Sequence, residues 1–401
     1  MASNTERDSK SLLEKFLLEE TENPYIANIL VSMHNDNHSY NRISMGNAIE
    51  SLKKGDYQST ANLLGNINTA GVWSGGSSRG FYHVGVYEAF DKLDIKTKIN
   101  VGVSIGAFPA VFRCLKTHGI ETKYGEDLSP ERMSTFAYEL RDASGLDVFK
   151  SGKNFSEKIR GEIKTLQGFY RLVMQSSFID SKRLEKFLNE QFKDLKVKDI
   201  EGLYIIGTEY NNGAKITMCK NSDDKIFSEI SLAKALRITT AVPYLFEPFQ
   251  MNGKFYADGG LKDVMPVRTA FELGSAEFVL GTCLVRKISS QNPAFNGLKG
   301  KIEQHSRDID ILQINSLEPW TLHYTGEKSN YIVENGDPKG RYLLNAPNLS
   351  DINWLDFFEG GPSLIKRGFK DTLKNIEKFL EPKYKHPKYN PEFFIKQIKE
   401  K

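Results

Sequence analysis

Cysteine is scarce in this chain of 401 residues, which contains only Cys114, Cys219 and Cys283. An odd number of widely spaced cysteines does not make a disulfide framework, and the spacing is not that of zinc ligands. The simplest expectation is therefore a protein of a reducing compartment such as the cytoplasm.

Long apolar runs and a strong charge imbalance are also missing. No stretch approaches the roughly 20 apolar residues that span a bilayer, and the charged N-terminus lacks the apolar segment of a signal peptide. We therefore predict a cytoplasmic protein that can act peripherally at membranes. The 54 basic and 51 acidic residues nearly cancel to a net charge of +3, which gives no case for nucleic-acid binding. The oligomeric state is left open.

No EF-hand loop or cluster of metal-ligating residues occurs in the sequence. We predict calcium-independent chemistry that uses no metal and no cofactor. The composition is that of a globular protein, with 39% hydrophobic and 26% charged residues.

The composition and residue pattern divide the chain into three parts. Residues 1–67 form a polar, helical N-terminal extension, residues 68–380 form the main domain, and residues 381–401 form a basic tail. Within the main domain, residues 120–200 are polar and mostly helical, which predicts an insertion that covers a cleft.

Two strand–turn–helix units follow one another at the start of the main domain. Residues 70–73 and 99–103 are short apolar strands, each followed by a turn and a helix, and the second helix covers 107–115. This order predicts an α/β sheet whose chemistry lies at the carboxyl ends of its strands. Further strands are predicted at 203–208, 215–219, 255–257, 278–285 and 310–317, and further helices at 183–192, 232–238 and 363–380.

The second turn contains Gly102-Val103-Ser104-Ile105-Gly106, which fits G-x-S-x-G between a strand and a helix. In such an elbow the serine sits on a sharp turn that exposes its hydroxyl, and the flanking glycines leave room for the turn. The pattern also occurs in ordinary turns. By itself it favours a nucleophile only modestly.

The first turn contains a glycine loop, Gly75-Gly76-Ser77-Ser78-Arg79-Gly80. Glycines let backbone N–H groups approach a substrate, as an oxyanion site requires. No Gly-Lys-Ser/Thr follows, which excludes a P-loop, and Ser77 stands where a dinucleotide fingerprint needs its second glycine. A plain glycine turn before a helix remains the alternative.

A serine nucleophile needs a base, and no histidine is well placed to serve. His83 lies in the helix after the glycine loop, and His305, His323 and His386 follow no clear strand and turn. The alternative is Asp258, which follows an apolar strand and precedes Gly259 and Gly260. It can take the serine proton if its surroundings raise its basicity. On spacing alone, an ordinary Asx turn is the better explanation.

Together these blocks resemble the patatin-like phospholipases. That family has a G-G-G-x-R-G loop, a G-x-S-x-G elbow and a later D-G-G, and residues 239–248 (TTAVPYLFEP) are similar to the block that precedes its aspartate. The resemblance covers roughly residues 68–380. It implies a three-layer α/β/α sandwich with a central, mostly parallel sheet.

The resemblance also implies the chemistry. The enzyme would be a serine carboxylic-ester hydrolase of phospholipase A or lysophospholipase type, and its partner would be a phospholipid or another acyl lipid. Ser104 would be the nucleophile and Asp258 its base, the amides near Gly76 and Ser77 would hold the oxyanion, and Arg79 would shape the loop. The implied site comprises Ser104 and Asp258, the oxyanion loop Gly75, Gly76, Ser77, Ser78, Arg79 and Gly80, the elbow glycines Gly102 and Gly106, and Gly259 and Gly260.

Two positions depart from the family pattern. Ser77 replaces the third glycine of the loop, and Val264 replaces an asparagine after the Asp-Gly-Gly motif. These departures keep two alternatives open beside the phospholipase: a lipid-binding or regulatory protein with decayed activity, and a neutral-lipid or non-specific esterase.

Overall fold

The computed structural model describes most of the predicted main domain. The described residues are 68–144 and 181–285, except 124, 126, 193, 244 and 277, together with 308, 311–312, 342–347, 349, 352 and 360–380. The predicted extension 1–67 and tail 381–401 lie outside them.

A mixed β-sheet forms the centre of the described structure. Its strands follow the order β5-β6-β3-β2-β1-β7-β8, and β4 pairs with β3 beside this path. The pairs that β1 forms with β2 and β7 are parallel, as are β2–β3 and β7–β8. The strands are β1 (Thr69–Trp73), β2 (Ile99–Val103), β3 (Leu203–Glu209), β4 (Ala214–Cys219), β5 (Phe249–Met251), β6 (Lys254–Asp258), β7 (Phe278–Thr282) and β8 (Tyr342–Asn345).

Strand β6 enters the sheet from beyond the carboxyl edge of the parallel strands. It runs antiparallel to β3 and pairs only with the last residues of that strand, so that Asp258 lies opposite Gly207. Strand β4 pairs with β3 along residues 204–209 on one side, so β6 and β2 share the other side, where Ile206 lies opposite Val103. The end of β6 therefore reaches the same level of the sheet as the residue that follows β2, Ser104.

Helices cover the sheet, and local signals explain several of their ends. Helix α3 starts after Ser129, whose side chain accepts a hydrogen bond from the amide of Arg132 and is followed by a proline at the first position. Helix α2 ends at His118 and is followed by Gly119 in the left-handed conformation. The helices are α1 (Phe81–Lys92), α2 (Ala107–His118), α3 (Pro130–Ala143), α4 (Lys182–Phe192), α5 (Lys225–Glu229), α6 (Leu232–Thr239), α7 (Val267–Glu272) and α8 (Gly361–Leu380).

The two faces of the sheet carry separate hydrophobic cores. The larger core contains Tyr82, Phe108 and Phe136 from α1, α2 and α3, and the smaller one packs β-strand valines such as Val101 against α7. The burial of both faces explains why the central strands read as continuous apolar runs. The architecture is the predicted α/β/α arrangement with a mostly parallel sheet.

Most predicted elements are confirmed, and one prediction is wrong. Residues 311–312, the described part of the strand predicted at 310–317, are helical. The strand beside β7 is instead β8, which lies in a stretch that glycine, proline and asparagine interrupt. Apolar side chains at 311 and 312 satisfied a strand pattern, but short apolar runs do not distinguish strand from helix. Within the described ranges, no helix has the length and apolar character needed to cross a membrane.

Candidate active site

The three sequence motifs meet at the carboxyl edge of the parallel strands. Each follows a strand and forms a single 3₁₀ turn, at Ser77–Gly80, Ser104–Gly106 and Gly259–Leu261. The sheet brings these turns together although Ser104 and Asp258 are far apart in the sequence. All the predicted site residues lie within the described part of the chain, and the motifs that contain them converge on one place.

Ser104 occupies a strained turn that glycine makes possible. Its φ is 52°, in the left-handed region that residues with a Cβ rarely adopt. A Cβ on Gly106 would lie 2.3 Å from the carbonyl oxygen of Trp73, and one on Gly102 would lie 2.5 Å from Cα of Ala107. Both positions therefore need glycine for close packing of the turn. Helix α2 begins directly after it and points its positive end toward Ser104.

Asp258 is a buried carboxyl group at the end of β6, with 5% of its surface exposed. Its Oδ1 accepts a hydrogen bond of 2.7 Å from the amide of Gly260, whereas Oδ2 has no hydrogen-bond partner among the described residues. Burial raises the pKa of Asp258 to about 7, opposed by the interaction with the Ser104 hydroxyl and by the Gly260 amide. Near neutral pH the group is therefore poised to exchange a proton.

The backbone of Asp258 is held on two sides. Its amide donates to the carbonyl oxygen of Ala241 at 3.0 Å, and its carbonyl oxygen accepts from the hydroxyl of Thr208 at 2.9 Å. No sequence motif includes Thr208, and residues 239–241 stand out in the sequence only through the resemblance of their block to the family pattern.

Two backbone amides of the glycine loop have no hydrogen-bond acceptor among the described residues. They are those of Gly76 and Ser77. The amide of Gly75 is different, because it donates to the carbonyl oxygen of Val264 at 3.1 Å. This hydrogen bond holds Gly75 in the loop, and the amides of Gly76 and Ser77 stay the predicted oxyanion donors.

Arg79 links the same loop to the segment after β7. The side chain is 1% exposed, and Nη1 donates to the carbonyl oxygen of Leu284 at 2.9 Å. Ser78 and Gly80 are buried beside it. The arginine therefore ties the glycine loop to the segment after β7.

Ser77 takes a conformation that explains why glycine is usual at this position. Its φ is 53°, and Ser77 lines the same cleft as Ser104. The serine therefore carries the backbone strain that a glycine would not, at a cost of roughly 1–2 kcal/mol. Its amide keeps its place in the loop.

His83 is near the loop but is not a candidate base. Its Nε2 contacts the carbonyl oxygen of Ser74 at 2.9 Å. Burial lowers the pKa of His83 to about 4, opposed by that hydrogen bond. The ring is therefore neutral at pH 7 and supports the loop. His305, His323 and His386 lie outside the described residues.

An apolar cleft opens beside Ser104. It contains about 790 Å³ of empty space, part of it open to solvent, and it is lined by Ser77, Ser104 and Thr240 together with side chains from α1 to α4 and the segment after α6. Most of its wall is aliphatic or aromatic, including Phe81, Phe108, Met133, Phe136, Leu184 and Phe246. Such a wall suits a hydrocarbon chain.

A second buried carboxyl lies behind the Asp-Gly-Gly turn. Asp263 is 2% exposed, pairs with Lys215 Nζ at 3.0 Å, and donates its amide to the carbonyl oxygen of Gly259 at 2.9 Å. Burial raises its pKa, and the Lys215 ammonium opposes that rise. Among the described residues, no group of three or more histidine, cysteine or acidic side chains is arranged to hold a metal ion.

The model of the family described as patatin-like phospholipase matches residues 71–271, half of the chain. The chain belongs to this family. The match extends from β1 to α7 and includes the glycine loop, the elbow and the Asp-Gly-Gly turn.

Curated relatives carry a related name. The chain is 23% identical over 353 residues to a lysophospholipase NTE1 of Meyerozyma guilliermondii, a match that covers 86% of this chain and 21% of that protein. It is 25% identical over 216 residues to lysophospholipase NTE1 of Candida albicans, covering 54% and 13%. The chain therefore spans about a fifth or less of the length of these relatives.

A solved structure, VipD from Legionella pneumophila, aligns with 78% of this chain and 67% of its own at 16% identity, with a TM-score of 0.35. The family assignment stands on the family match and makes this chain a member of a group of lipid acyl hydrolases.

Proposed function

We propose that this patatin-like protein hydrolyses fatty acyl esters of lipids, with Ser104 as nucleophile and Asp258 as its base. One observation carries the proposal. A serine on a strained turn interacts with a desolvated carboxyl group, and both lie at the edge of an apolar cleft. The names of the curated relatives make a single-chain phospholipid the first substrate to test.

The first half-reaction forms an acyl-enzyme. The Asp258 carboxylate removes the Ser104 proton while Oγ attacks the ester carbonyl carbon, and the electron pair of the C=O bond moves to its oxygen. The amides of Gly76 and Ser77 would donate to this oxyanion. When the C=O bond re-forms, the C–O bond to the alcohol breaks and the departing oxygen takes the proton from Asp258.

The second half-reaction releases the fatty acid. Asp258, again ionised, accepts a proton from water as the water oxygen attacks the acyl carbonyl. Collapse of the second tetrahedral intermediate breaks the bond to Ser104 Oγ, which recovers the proton from Asp258. The products are a fatty acid and the de-acylated lipid, and the enzyme returns to its starting state.

Burial gives Asp258 the basicity that this mechanism needs. A carboxylate with an ordinary pKa is a weak base at neutral pH, whereas a pKa of about 7 matches the operating pH. Since the ionised form is the base, we expect kcat/KM to rise with pH and reach half its maximum near pH 7.

A fluorophosphonate probe tests the nucleophile directly. Ser104 Oγ should displace fluoride from the probe and form a covalent adduct that mass spectrometry maps to Ser104. Ser104→Ala should lose labelling and ester hydrolysis, while Ser228→Ala on α5 should retain both. Lipid extracts incubated with wild type and Ser104→Ala then identify the released acyl chains.

The outcomes separate the candidate functions. Labelling of Ser104 with release of fatty acid from lysophospholipid supports the proposal, and release from neutral lipid alone points to the esterase alternative. A folded wild-type protein that takes no label contradicts the proposal and favours a lipid-binding protein with decayed activity. Peripheral contact with membranes and a cytoplasmic location remain predictions.

A further inference from the structure

Thr239 is a buried threonine at the end of α6 that contacts the candidate nucleophile. Its side chain is 0% exposed. The amide of Ser104 donates to Thr239 Oγ1 at 2.8 Å, and the Thr239 hydroxyl donates to the carbonyl oxygen of Ile206 on β3. One hydroxyl therefore joins the elbow, the neighbouring strand and α6.

The amide of Ser104 has no acceptor within its own turn and depends on the Thr239 hydroxyl. It stands at the start of a 3₁₀ turn, where backbone N–H groups have no partner within the helix. The residue is also held at a φ of 52°, and a buried amide without an acceptor would add to that strain. The Thr239 hydroxyl satisfies the amide and fixes the direction in which the backbone presents the serine side chain.

The turn at the end of α6, residues 239–241, also contacts the candidate base. Two residues after Thr239, the carbonyl oxygen of Ala241 accepts the amide of Asp258 at 3.0 Å. Between them, Thr240 lines the apolar cleft. Residues 239–241 therefore contact Ser104 at one end and Asp258 at the other, although these two residues come from different strands.

We propose that Thr239 is a positioning residue for the Ser104–Asp258 pair, and that the turn 239–241 sets the separation between the serine hydroxyl and the carboxylate. This inference rests on the proposed function. It assigns a role to the Thr-Thr-Ala sequence that comes before the proline of the block.

Loss of the hydroxyl should affect the rate of reaction at Ser104 more than substrate binding. Misplacement of a reacting group by about 1 Å can cost on the order of 100-fold in rate. Thr239→Val keeps the shape but removes both hydrogen bonds, so we expect a fall of about 10- to 100-fold in kcat with little change in KM. Thr239→Ser keeps the hydroxyl and should stay near wild type.

Thr372 provides a matched control within the described chain. It is also buried, donates its hydroxyl to the carbonyl oxygen of Gly368 at 2.7 Å, and accepts a hydrogen bond from Asn345 Nδ2 at 2.9 Å. Thr372→Val should lower the melting temperature much as Thr239→Val does, because each change strands a buried polar partner. It should leave the reaction at Ser104 at the wild-type rate.

The experiment measures the second-order rate of fluorophosphonate labelling, ester hydrolysis as kcat and KM, and the pH midpoint of kcat/KM. The pH midpoint of kcat/KM distinguishes a misplaced serine from a general loosening of the site. Because the Ser104 hydroxyl opposes the rise in the pKa of Asp258, a displaced serine should leave the midpoint near 7 or move it up in Thr239→Val. If water entered a loosened site, the pKa of Asp258 would fall and the midpoint would move down.

The outcomes are distinct. Slow labelling in Thr239→Val, rescue by Thr239→Ser and normal labelling in Thr372→Val support the inference. Equal labelling rates in wild type and a folded Thr239→Val overturn it alone, and so does a midpoint that moves down. An unlabelled wild type overturns the proposed function as well. If Thr239→Val does not fold, Thr239→Cys repeats the test, because a thiol is a weak hydrogen-bonding group; an unchanged rate there also overturns the inference.

Discussion

The buried carboxyl of Asp258 should make the protein less stable as the pH rises. The folded state raises its pKa from 3.8 to about 7 because the group is desolvated, and Oδ2 has no partner among the described residues to offset that desolvation. Replacement by asparagine keeps the shape and an oxygen for the Gly260 amide but removes the charge. We therefore expect Asp258→Asn to abolish hydrolysis and to stabilise the fold above pH 7.

The sign and size follow from the two pKa values. Since the folded state binds the proton more tightly than the unfolded state, the contribution of Asp258 to stability is greatest below pH 4 and declines as the pH rises toward 7. A shift of about three pKa units corresponds to about 4 kcal/mol. The advantage of Asp258→Asn over wild type should therefore widen by about 2–3 kcal/mol between pH 5 and pH 8.

Urea unfolding at the two pH values measures this difference. Asp94→Asn, a change at an exposed carboxyl group in a left-handed turn, is the control and should show no comparable widening. A gap between Asp258→Asn and wild type that is the same at both pH values would refute the reasoning, since it would mean that Asp258 does not titrate in this range. A wild type more stable than the variant at pH 8 would do the same.

Two further substitutions test the surroundings of the site. Lys215→Met leaves the buried Asp263 without its ammonium partner and should cost about 3 kcal/mol in urea unfolding at pH 8; the double variant Lys215→Met/Asp263→Leu should recover much of the loss, and a neutral single variant would contradict this. Ser77→Gly relieves a left-handed residue and should gain about 1 kcal/mol in the same measurement. Fluorophosphonate labelling should persist in Ser77→Gly, and a loss of stability would show that the serine side chain contributes more than its strain.

The central part of the fold was accessible from the sequence because local and global signals agree there. Residues 70–73 and 99–103 are short, mostly apolar runs that are buried on both faces, and each is followed by a turn that contains glycine and then by a helix. The strand β8 gave no such signal. It lies in a stretch interrupted by turn-forming residues, and its pairing with β7 is a long-range contact that local patterns do not encode.

Motif order was enough to single out Ser104 and Asp258 in the sequence. It did not predict how the fold brings them together or how burial changes the pKa of Asp258. The antiparallel entry of β6, which places Asp258 at the level of Ser104, depends on the register between β3 and β6. The raised pKa depends on burial by side chains from several elements. The role of Thr239 depends on a hydrogen bond across 135 positions of sequence, and no spacing rule links the two residues.

Val264 shows how the surroundings of a motif can change its meaning. Read as a sequence, a valine in place of asparagine removes a polar group and questions the local hydrogen bonding. In the fold, its carbonyl oxygen still accepts the amide of Gly75, a bond that any residue could provide. Its side chain is 0% exposed and lies against Gly260, on the side of that glycine that also faces Asp258 Oδ1. Because desolvation is the main cause of the raised pKa of Asp258, an apolar side chain at this position favours the raised pKa.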